Sequence, residues 1–72
     1  MKQEYDSLIE LIKDLSLYIN QSALARICKI NEGQMRQYVS GVRNPSKQTI
    51  DKINEGLKRF GNDISNMKVT LK

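Results

Sequence analysis

The chain has 72 residues with one Cys and no His, which is room for one small domain that buries only about 60% of its unfolded surface, with no internal disulfide framework and no plausible zinc site. Its apolar runs are no longer than Leu17-Tyr18-Ile19, far short of a membrane helix, and Glu4 and Asp6 stand where a signal peptide would carry its apolar stretch, so no export is implied and a cytoplasmic protein is expected. The net charge of +4, from 12 bases and 8 acids, is within what solubility alone asks of a small domain and identifies no partner.

Without a metal, a disulfide or much core, helices joined by short loops are the least demanding architecture. Ser7 followed by Glu10 fits a capping box, in which each side chain satisfies a free backbone donor of the first turn. Leu8, Ile12, Leu15 and Ile19 then recur at helical spacing, widened by Ile9 and Leu11, and predict a first helix running to about Ile19. Asn20 caps a second helix from Gln21 to about Cys28, with Leu24, Ile27 and Cys28 on one face. Asn31 caps a third, where Gln34 completes another capping-box pattern, and this helix ends near Ser40 before Gly41.

The stretch from Gly41 to Pro45 is dense in turn residues and reads as a loop. Ser46 caps a fourth helix whose stripe is Ile50, Ile53, Leu57 and Phe60, and Gly61 suits the left-handed residue that ends many helices. Gly56, inside this helix, marks a close helix packing. A domain over residues 1–61 and a tail over 62–72 follow. In the tail Met67, Val69 and Leu71 alternate with Lys68, Thr70 and Lys72, a period of two that argues for a short strand. A lone strand beside helices must pair with another copy, belong to a larger protein, or stay disordered.

The centre of the chain carries the strongest signal. Two short helices separated by two or three residues must cross at a steep angle, and Ala25 supplies a small residue for the crossing while Ile30 plugs the space beneath. On the third helix Met35, Tyr38 and Val39 share one face; Gly33, Arg36, Gln37 and Ser40 lie opposite. That second face holds only small or hydrogen-bonding side chains and could fit a major groove, where Arg reads guanine and Gln reads adenine. The charge is placed to match. Residues 1–20 sum to −2, whereas residues 21–60 sum to +5, so a polyanion would approach the middle of the chain.

The stretch QSALARICKINEGQMRQYVSGVRNPS resembles the helix-turn-helix of the Cro and phage-repressor class, also called the xenobiotic-response-element class. Gln21 opening the unit, Leu24-Ala25, Cys28 and Ile30 about the turn, Met35 and Tyr38 inside, and Gly41, Arg43, Pro45 and Ser46 after it carry the resemblance, which covers residues 20 to about 57. It implies an all-α, lambda-repressor-like domain of four or five helices that binds double-stranded DNA as a homodimer, with no cofactor. Lys29 stands where the family often has Gly; a left-handed conformation there costs a non-glycine residue roughly 1–2 kcal/mol, so either the turn is slightly altered or Lys29 adopts it at that cost.

By this resemblance Glu32, Gly33, Arg36 and Gln37 match the base-facing positions. Asn20 and Gln21, at the amino end of the second helix, match a phosphate contact, and Arg43, Asn44 and Lys47 match the loop that grips the backbone. Only the first group would set sequence. Each residue also has a plainer reading. Glu32 fits a first-turn acid favoured by the helix dipole, Arg36, Gln37, Arg43 and Lys47 fit solvated surface, Gln34 fits a cap, and Cys28 fits an inert buried thiol.

Three classes of function compete. The first is a sequence-specific DNA-binding transcriptional regulator, a repressor on a palindromic operator. The second is a protein-interaction module whose scaffold serves a toxin or other protein partner, including the DNA-binding part of a HicB-type antitoxin. An enzyme is not expected, because no nucleophile stands beside a base and the acids are scattered.

Overall fold

Every helix of the protein starts where a short polar side chain takes up a free backbone amide. In the computed structural model, which describes residues 2–71, these helices are α1 (Leu8–Leu15), α2 (Gln21–Cys28), α3 (Glu32–Ser40) and α4 (Lys47–Ser65). Ser7 Oγ accepts from the Glu10 amide at 3.2 Å, Asn20 Oδ1 from Ala23 at 2.8 Å, and Ser46 Oγ from Thr49 at 3.2 Å. Asn31 Oδ1 accepts from both Gly33 and Gln34, at 2.8 and 3.1 Å. All four caps fall where the sequence places them, because the bond spans only two or three residues.

The reciprocal half of the expected box forms at neither α1 nor α3: Glu10 contributes only its amide to Ser7, and Gln34 donates its Nε2 to the Tyr38 hydroxyl at 3.0 Å. Gln34 and Tyr38 are four apart and so lie one above the other on the helix.

The helix ends depart from the sequence reading twice. The first helix stops at Leu15, not near Ile19. Ser16 closes it, its Oγ donating to the Lys13 carbonyl at 2.6 Å, and the amides of Tyr18 and Ile19 both turn back to the Leu15 carbonyl. Leu17 and Tyr18 thereby point to water while Ile19 still reaches the core. The fourth helix continues through Gly61 to Ser65 and so crosses the expected boundary at residue 61. Gly41, not Gly61, takes the left-handed conformation, with φ 81°. Pro45, four residues after Gly41, keeps α3 from running on into the next helix, whereas Asn62 to Ser65 after Gly61 carry no such block.

The expected strand at Met67 to Leu71 does not form, and no strand exists among the described residues. Alternation supplies a face but no partner, and a strand without a ladder leaves its backbone groups unpaired.

The core is built from Leu8 and Ile12 of α1, Leu24, Ala25 and Cys28 of α2, Ile30 of the turn, Met35 and Tyr38 of α3, and Ile53 of α4. Leu24, Ala25, Met35 and Ile53 are at most 1% exposed. α2 packs on both α3 and α4, and α1 packs on α3. Phe60 is half-buried and lies outside this cluster. The radius of gyration is 13.4 Å and the long axis 50 Å, against about 11 Å expected for a round domain of this length. The excess follows from the far end of α4, since every described residue from Gly61 onward is exposed. No helix among the described residues is long and apolar enough to cross a membrane.

Candidate functional site

α3 buries Met35 and Tyr38, and this fixes which of its residues face outward. Arg36, Gln37 and Ser40 are exposed and Gly33 is half-buried at its amino end. A shallow open depression lies along this side. Gln21 of α2, Gly33, Arg36 and Gln37 of α3, and Arg43 of the following loop all line it, together with Asn31, Gln34, Val39 and Ser40. Five of the nine residues singled out from sequence are thus brought to one surface, and that surface has two guanidinium groups and no acid.

Two local features hold it in shape. The Arg43 amide donates to the Gln37 carbonyl at 3.2 Å, which ties the loop to the last turn of α3 and keeps Arg43 beside Gln37. At the other end the Asn31 cap sits directly over Gly33: a Cβ there would lie 3.1 Å from Asn31 Oδ1 and 3.5 Å from Arg36 Nη2. The missing side chain therefore relieves a tight contact with the cap, while the distance to the Arg36 guanidinium is ordinary van der Waals contact. Gly lowers helix stability by about 1 kcal/mol relative to Ala, and this crowding is a physical reason for its presence.

The remaining four residues lie outside the depression. Glu32, at the amino end of α3, pairs with Arg26 of α2 across 3.5 Å, and both side chains are exposed. Asn20 has its carbonyl oxygen engaged as the α2 cap. Asn44 is exposed in the loop and Lys47 exposed at the start of α4. Sequence reasoning missed Arg26 as the partner of Glu32, since a pair six apart across a turn has no periodic signature. It also missed Asn31 and Gln34 as lining residues, and it set Val39 on the inward face, whereas Val39 is half-buried and lines the depression; Ser40 lines it from the face where the sequence puts it.

Of the two ways the turn could meet the absence of glycine, it keeps the left-handed conformation and places Lys29 in it. Lys29 takes φ 58° and ψ 42°, the left-handed region, and its amide reaches back to the carbonyls of Ala25 and Arg26. Ile30 then donates to Ala25 and enters the core. Behind the turn, Arg59 of α4 donates Nη2 to the Ile27 carbonyl at 3.0 Å, satisfying the carboxyl end of α2. Cys28 is buried with its thiol 3.8 Å from the Ile53 carbonyl, and burial pushes the thiol above its ordinary range, opposed by the nearby Arg59 charge.

The acidic start of the chain lies elsewhere. Residues 2–8 with Leu11 and Leu15 of α1 form a second groove against Ile50, Asn54, Leu57 and Gly61 of α4. Tyr5 is held there by donating its hydroxyl to Asp14 at 2.8 Å. No residue is shared between this groove and the depression on α3.

Comparison with protein-family models, curated proteins and solved structures returned no match.

Proposed function

We propose that the protein is a sequence-specific DNA-binding regulator of transcription, acting as a repressor, with α3 in the major groove of double-stranded DNA. The observation that carries this is the acid-free depression in which Arg36 and Gln37 stand exposed on α3 between Gln21 and Arg43. Arg36 would donate to guanine and Gln37 would pair with adenine. Gly33 would let the α3 backbone approach the bases closely. Gln21 and Arg43 flank the helix where the two phosphate backbones would run, with Asn20, Asn44 and Lys47 extending the same contacts; these set register and not sequence. The Arg26 partner of Glu32 offsets a carboxylate that would otherwise face phosphate.

One such module offers few base contacts, so two copies on a two-fold site, with half-site centres about 34 Å apart, are part of the proposal. Selection of bound duplexes from a random DNA pool tests it. The expected result is a two-fold symmetric consensus, with log K falling by about 0.9 for each phosphate neutralised per log unit of salt. A pool that never enriches, or binding indifferent to salt, would overturn it.

A further inference from the structure

The body of the protein uses only the first part of α4. Ile53 and Gly56 are buried and Ile50 and Leu57 pack against the core, but the apolar spacing does not stop there. Ile50, Ile53, Leu57, Phe60, Ile64, Met67 and Leu71 follow one another at steps of three and four without a break. These are the a and d positions of a heptad repeat. The stripe runs past the end of α4 at Ser65 into a segment that is not helical in the lone chain, and its last three members, Ile64, Met67 and Leu71, are 49%, 70% and 89% exposed.

We propose that residues 60–71 of two copies of this chain pair as a short parallel two-stranded coiled coil, with the segment after Asn66 continuing α4 as helix in the pair. Charge placement selects a second copy and the parallel sense. In this register Asp63 is a g position and Lys68 the e position five residues on, and in a parallel pair g of one helix faces that e of its partner. The two-fold axis then makes two Asp63–Lys68 contacts, whereas an antiparallel pair sets like charge against like.

Gly61 occupies the other e position, where it lines the groove shared with residues 2–8, and nothing lies within 4 Å of where its Cβ would be. Lys58, Arg59, Asn62, Ser65 and Asn66 fall on the outer positions and are exposed. A helix of about 12 residues is marginal alone. This one grows from the anchored half of α4, so nucleation is already complete. In the lone chain residues 67–71 would lay their apolar stripe on water, which accounts for the helix ending at Ser65.

Val69 separates this arrangement from a paired strand: it shares the alternating face with Met67 and Leu71 but is an outer f position of the heptad. The pairing does not rest on the DNA-binding proposal and is measured without DNA. Sedimentation equilibrium of the full chain from micromolar to millimolar concentration should show the mass doubling, with a matching rise in helical circular dichroism. Ile64→Asp should leave a monomer whose body still melts cooperatively, while Val69→Lys should pair as the parent does. Asp63→Lys and Lys68→Asp should each weaken pairing about tenfold, and the double exchange should restore it. A monomer at millimolar concentration, pairing that survives Ile64→Asp, loss on Val69→Lys, or no restoration by the double exchange would each overturn the proposal.

Discussion

A Cβ on Gly56 would lie 2.9 Å from the Cα of Cys28 and 3.1 Å from the Ile27 carbonyl oxygen, so α4 meets the carboxyl end of α2 backbone against backbone. Both neighbours are main-chain atoms that cannot swing aside. Gly56→Ala should therefore destabilise the protein by about 1–3 kcal/mol through overpacking, despite the better helix propensity of Ala. Gly61→Ala, on the same helix with nothing within 4 Å, should stabilise by about 0.5–1 kcal/mol. Urea unfolding of the two variants checks the pair; equal effects would show that the close approach is not what Gly56 provides.

Lys29 carries a second local cost. It is the one described residue other than glycine at positive φ, and its side chain is exposed and has no ion pair within the described residues. Lys29→Gly should raise stability by about 1 kcal/mol, and Lys29→Val, whose branched side chain tolerates this conformation least, should lower it. Thermal melting of the three proteins gives the order.

Arg36 and Arg43 line the same depression from different elements, and their loss should differ in kind. Arg36→Ala should cost about 1–3 kcal/mol on the preferred DNA and relax the preference at one base position. Arg43→Ala should weaken binding to all sequences alike and flatten the salt dependence. Competition binding with preferred and scrambled duplexes separates the two; identical profiles would refute the division between reading and gripping.

The buried Cys28 thiol links stability to alkaline pH. Its folded pKa is raised by burial, so above the ordinary thiol range the unfolded chain loses a proton that the folded chain keeps. Stability is then fully present at neutral pH and falls as pH rises past about 8.5. Denaturant midpoints measured from pH 7 to 9.5 should decline in the parent and decline less in Cys28→Ala.

Much of the fold is legible because it is local. Ser7, Asn20, Asn31 and Ser46 each meet an amide two or three residues away, and the outward face of α3 follows from the spacing of Met35 and Tyr38. The gathering of Gln21, Gly33, Arg36, Gln37 and Arg43 was readable for a similar reason: all five lie within two short helices and one loop. Arg26 beside Glu32, and Arg59 on the Ile27 carbonyl, were not, because each depends on how two elements come to rest.

The small size and mild charge, the four helix starts and the candidate contact face are thus properties of the sequence itself, set by capping, periodicity and turn chemistry acting over a few residues. Tertiary structure alone decided where α1 stops, that α4 runs through Gly61 and that Gly56 lies on Cys28. A helix end depends on whether the next apolar residue finds a surface to cover: Ile19 found the core by leaving the helix, and the tail beyond Ser65 found nothing within its own chain.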